Sequence, residues 1–68
     1  MMNEDVVNME IRKFLKKVGI TSQREIEKAL QAAEAAGRLD SGPLKASMTL
    51  EIGALGLVHV VDGEIAVE

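Results

Sequence analysis

The chain has 68 residues, of which 47% are apolar, and its formal net charge at pH 7 is −3. It is too short for more than one small domain and too apolar to be intrinsically disordered. The sequence contains no cysteine, which excludes disulfides and thiolate metal sites, and its one aromatic residue is Phe14, so the core must be built from aliphatic side chains and methionine.

The N-terminal residues "MMNEDVVNME" do not resemble an export signal, because they are acidic and contain neither a basic segment nor an apolar run. The longest apolar runs of the chain are only a few residues, so no membrane span is predicted. Together with the lack of cysteine, these features lead us to expect a cytoplasmic protein.

The first predicted element is an amphipathic helix over residues 4–18. Its apolar residues recur at helical spacing on one face: Val7, Ile11, Phe14, Leu15 and Val18. Asn3 is the predicted N-cap, and Gly19 is the predicted residue at which the helix ends.

A second helix is predicted over residues 22–36. Thr21 or Ser22 is the predicted N-cap, Ser22 and Glu25 have the spacing of a capping box, and Gly37 is expected to end the helix. The apolar face of this helix consists of Ile26, Ala29, Leu30 and Ala33. Two helices joined around Gly19 have the outline of a helix-turn-helix.

Residues 38–46 form a predicted connector, and three short strands are predicted to follow it. The first strand is 47–52, where apolar and polar residues alternate, and "GALG" at 53–56 is a predicted turn. Strands 57–61 and 64–68 flank an Asp62-Gly63 pair, which is typical of a two-residue hairpin turn.

The register of the first strand depends on the "GALG" turn. A clean four-residue loop pairs Ile52 with Leu57 and leaves both sheet faces partly apolar. A β-bulge at Gly53 or Gly56 shifts the pairing register by one residue and gathers the apolar side chains of the strands on one face of the sheet. We favour the bulge, because two helices can cover only one face of the sheet.

The predicted fold is therefore α+β, with two N-terminal helices packed on a small antiparallel three-stranded meander in the order ααβββ. In this fold an apolar strip on the second sheet face stays exposed and is a candidate protein interface. It contains Leu57, His59, Val61 and Ala66. A homodimer would cover this strip and enlarge a small core.

A basic segment at residues 12–28 suggests a different partner, a nucleic acid or another polyanion. Its positive residues are Arg12, Lys13, Lys16, Lys17, Arg24 and Lys28. Against nucleic-acid binding, the apolar position of the second helix is one residue out of phase with a helix-turn-helix. The predicted hairpin also carries acidic residues and no lysine or arginine, which would repel phosphates.

Catalytic chemistry has little support in the residues present. His59 is the single histidine and lies in the middle of a predicted strand, and no second histidine or cysteine exists to complete a zinc site. We therefore expect no catalytic residues, no cofactor and no metal.

Nearly the whole chain resembles a family of short, uncharacterised bacterial proteins, mainly proteobacterial. The resemblance is carried by "MNEDVVNMEIRKFLKKVGITSQREIEKAL" at residues 2–30 and "MTLEIGALGLVHVVDGEIAVE" at residues 48–68. It implies a compact domain and assigns no catalytic or binding residue.

The function expected from these observations is a small non-enzymatic interaction or accessory module. It would act as a homodimer or dock on another protein. The alternative is a nucleic-acid-binding, helix-turn-helix-like domain that uses the basic segment.

Overall fold

The computed structural model describes residues 2–68 and contains one helix and one two-stranded sheet. Helix α1 runs over Glu4–Ala35, strand β1 over Leu44–Ile52 and strand β2 over Leu57–Ile65, with a single 3₁₀ turn at Gly53–Leu55 between the strands. The α+β class is correct, but the predicted ααβββ order is wrong in both its helices and its strands.

The two ends of α1 form as predicted. Asn3 lies in extended backbone conformation, and its Oδ1 accepts hydrogen bonds from the backbone N–H groups of Asp5 and Val6, at 3.1 and 3.2 Å. At the other end, Gly37 has a φ of +69° and its N–H donates to the carbonyl of Glu34, while the Arg38 N–H donates to the carbonyl of Ala33. This is a Schellman motif, in which glycine supplies the left-handed residue.

The predicted break between two helices does not occur. Gly19 stays inside α1 with no left-handed φ, and the helix continues for 32 residues. Thr21 does not cap a new helix. Its Oγ1 instead donates a hydrogen bond of 2.8 Å to the Lys17 carbonyl one turn earlier, so the hydroxyl is satisfied within an unbroken helix.

The sheet is a single antiparallel hairpin in which Ile52 pairs with Leu57 and Leu44 pairs with Ile65. The favoured bulge is therefore wrong, and the clean four-residue loop is correct. Gly56 closes this loop with a φ of +62°, and its N–H donates to the Gly53 carbonyl at 3.1 Å.

Asp62 and Gly63 do not form a turn. They lie within β2 and pair with Ser47 and Ala46, so β2 continues to Ile65 and the third strand, predicted at 64–68, does not form. The reason lies in β1, which begins at Leu44 and thus offers backbone partners that the predicted strand 47–52 lacked. Pro43 immediately precedes it, a position at which proline costs no ladder hydrogen bond.

This register places most of the apolar side chains of both strands on one side of the hairpin. We call this side the apolar sheet face; its apolar members are Leu44, Ala46, Met48, Leu50, Ile52, Leu57, Val61 and Ile65. The opposite side is mostly polar but includes Val58 and Val60.

No residue between 2 and 68 is buried to the degree typical of a protein core. The best-sheltered residues are only half-buried: Val7, Val18, Ser22, Leu30, Ala33, Leu39, Leu44, Leu50, Ile65 and Val67. The molecule is correspondingly elongated, with dimensions of 54 × 20 × 18 Å. The apolar residues thus form stripes and faces rather than a closed interior.

Candidate interaction surfaces

An open groove of about 740 Å³ runs between the second half of α1 and the apolar sheet face. Its helical wall includes Ile26, Ala29 and Leu30, and its sheet wall includes Met48 and Val61. Ile26 and Met48 are still 39% and 43% exposed, so the two walls shelter each other without closing a core. This groove is where the helix and the hairpin approach each other.

The candidate interface predicted from the sequence lies partly on the apolar sheet face. Leu57, His59 and Val61 all belong to this side of the hairpin, and His59 pairs with Leu50. Ala66 does not join them, because β2 ends one residue earlier and Ala66 lines a separate shallow depression beside Val67. Leu57 is 40% and Val61 54% exposed.

A second apolar surface lies on the first half of α1, and it has no hairpin residue against it. No residue before Thr21 lines the groove with the sheet. Ile11, Phe14 and Leu15 are 52%, 50% and 52% exposed. Their helical spacing predicts a core face, so this surface was missed as a candidate interface.

One signal in the sequence does reveal this arrangement. The apolar stripe of the first predicted helix continues in phase into the second, through Val18, Ser22, Ile26, Ala29 and Ala33 at steps of three or four residues. A turn at Gly19 would reset that phase. Uninterrupted phase is typical of one continuous helix.

The six basic residues of the predicted polyanion contact all lie on α1 and are all exposed: Arg12, Lys13, Lys16, Lys17, Arg24 and Lys28. They are not arranged around a helix-turn-helix, since α1 has no turn at Gly19. Lys28 is also paired with Glu25 at 3.3 Å, and because both side chains are 74% exposed the pair adds little stability.

Among residues 2–68 no three histidine or acidic side chains lie close enough together to hold a metal ion. Within the same residues, α1 does not have the long apolar window that a membrane-crossing helix requires.

Comparison with known proteins places the chain in a family. A family model described as a family of unknown function, DUF6494, matches residues 2–68, which is nearly the full length. No curated protein and no solved structure matches the chain. The protein therefore belongs to the DUF6494 family, whose function is unknown.

Proposed function

We propose that this protein is a non-enzymatic interaction module whose working form is a homodimer. The observation that supports the proposal is the combination of an apolar composition with the lack of any buried residue over 2–68. A soluble chain with this composition gains its stability by removing apolar surface from water. The single chain removes too little apolar surface from water.

The accessible surface supports the same proposal quantitatively. The chain exposes 6212 Å². A compact monomer of its 7.3 kDa mass is expected to expose about 4,200 Å². The excess is roughly 2,000 Å² per chain, which lies in the range that one subunit contributes to an obligate homodimer interface.

The chemical nature of the exposed surface also favours protein contact. Apolar side chains are exposed in contiguous rows, on the first half of α1 and on the apolar sheet face, instead of being scattered singly. Contiguous exposed apolar surface is typical of protein interfaces. His59 pairs across the hairpin with Leu50, an apolar residue that cannot orient an imidazole for acid–base catalysis.

Sedimentation velocity over a concentration series, combined with urea unfolding at two concentrations, tests the proposal. We expect a species of twice the chain mass and an unfolding midpoint that rises with protein concentration, because dissociation and unfolding are coupled in an obligate dimer. A monomer at all concentrations, with a cooperative unfolding midpoint independent of concentration, would contradict it.

A further inference from the structure

We infer that the dimer forms through antiparallel pairing of the first half of α1 with the same segment of a second copy. The inference rests on the proposed homodimer and specifies its interface. The contact is a row of four apolar residues, which we call the N-terminal seam: Val7, Ile11, Phe14 and Val18.

The spacing of the N-terminal seam is that of a helix–helix contact. Its four residues follow each other at steps of four, three and four, the a/d pattern of a coiled coil. The next positions of the same pattern are Glu4 before the row and Thr21 after it, both polar. The seven-residue pattern is thus apolar only over residues 7–18, a length of about 16 Å along the helix axis, and beyond it the apolar residues Ile26 and Ala29 line the groove with the sheet instead.

Charge complementarity identifies the occupant as a second copy and sets its direction. Before the middle of the seam α1 carries acidic residues, Glu4, Asp5 and Glu10. From Arg12 onward it carries basic residues, Arg12, Lys13, Lys16 and Lys17. Among these charges, Glu10 and Lys17 flank the seam: an antiparallel pair places Glu10 beside Lys17 of the other copy, whereas a parallel pair places each of them beside an uncharged residue.

One pair of residues shows this most directly. Glu10 and Lys17 both occupy the g position of the seven-residue pattern, which flanks the seam. In an antiparallel pair centred between Arg12 and Lys13, Glu10 of each copy meets Lys17 of the other. The same alignment packs Val7 against Val18 and Ile11 against Phe14, so that apolar contacts and charge pairs form in one register.

The hairpin leaves this surface accessible. The groove with the sheet begins at Thr21, beyond the seam, and Phe14 is 50% exposed in the single chain. The seam accounts for part of the excess accessible surface described above. A helix pair along it needs no rearrangement of α1.

Sedimentation of two matched variants tests the position of the interface. Phe14→Glu introduces a charge into the centre of the seam, and we expect the dimer dissociation constant to rise more than a hundredfold. Met9→Glu is the control, because Met9 is 67% exposed on the opposite side of the same helix, and we expect it to leave the dimer intact. Circular dichroism reports whether each variant retains its helix.

Disulfide cross-linking tests the direction, since the chain has no cysteine of its own. Val7→Cys and Val18→Cys are prepared separately and incubated alone or mixed, with glutathione disulfide as the oxidant. Antiparallel pairing predicts a cross-linked dimer in the mixture and little in either variant alone. A disulfide needs Cα atoms within about 7 Å, so it reports direct proximity.

The outcomes separate the two proposals. A wild-type monomer would overturn the homodimer itself. A wild-type dimer that Phe14→Glu does not weaken, with no cross-link in the mixture, would overturn the N-terminal seam and leave the homodimer standing. Cross-linking of each variant alone, at both positions, would show parallel pairing and overturn the inferred direction.

Discussion

Asn3 contributes to stability through its position at the start of α1, where four backbone N–H groups have no partner within the helix. Its side chain satisfies two of them, those of Asp5 and Val6. We expect Asn3→Ala to lower the free energy of unfolding by about 1 kcal/mol. Urea unfolding followed by circular dichroism measures this, and Gln23→Ala, an exposed amide in the middle of α1, should change it far less.

Gly19 within α1 and Gly37 just beyond its end have different backbone conformations and should respond oppositely to alanine. Gly19 lies inside the helix with open space where a Cβ would stand, so Gly19→Ala should stabilise the protein by about 1 kcal/mol. Gly37 has a φ of +69°, so Gly37→Ala should destabilise it by about 1–2 kcal/mol. A helix-turn-helix with a left-handed Gly19 would instead make both substitutions destabilising, which unfolding measurements would reveal.

At the scale of whole elements, local signals were reliable only where no longer-range partner competed with them. The Asn3 cap and the Gly37 end were predicted because both depend on neighbouring residues alone. Gly19 and Ser22–Glu25 match a helix boundary equally well in the sequence, but α1 continues through them, and its apolar stripe stays in phase. Glycine inside a helix costs only about 1 kcal/mol, so it does not by itself end one.

The sheet shows the same competition between local and non-local signals. Asp62-Gly63 favours a turn locally, but Leu44–Ser47 offers β2 a continuous antiparallel partner, and extended pairing prevails. The local pattern could not decide between a clean four-residue "GALG" loop and a β-bulge, because both alternatives leave strands with reasonable alternation of apolar and polar residues. The apolar first half of α1 was missed as an interface because its residues have the same spacing as core residues.

The hairpin register can be tested at its glycines. Gly63 lies in β2 without a left-handed φ and with no atom near an added Cβ, so Gly63→Val should be neutral or stabilise the protein by up to about 1 kcal/mol. Gly56 has a φ of +62°, so Gly56→Val should destabilise it by at least about 1–2 kcal/mol. Strong destabilisation by Gly63→Val would indicate a turn at Asp62-Gly63 and contradict the two-stranded sheet.

At the scale of the whole molecule, the elongated shape and the lack of a buried core over residues 2–68 have one physical origin. The hairpin is shorter than α1 and lies against its second half only, so the first half carries apolar residues that its own chain does not cover. In the proposed homodimer, a second copy would supply the missing surface without any additional element. Stability and association then depend on the same residues, and a substitution in the N-terminal seam should reduce both.

The direction of pairing also determines the length of the dimer, which small-angle X-ray scattering measures. A parallel dimer would keep close to the 54 Å length of one chain, because the two helices would lie side by side with their hairpins at the same end. An antiparallel pair centred between Arg12 and Lys13 carries the hairpins at opposite ends and extends to roughly 70 Å, from the 1.5 Å rise per residue. We expect the wild type and Met9→Glu to show the longer maximum dimension. Phe14→Glu should not show it, because its dimer is expected to dissociate. A dimer no longer than the single chain would be incompatible with antiparallel pairing, because two helices that overlap only in their first halves cannot fit within that length.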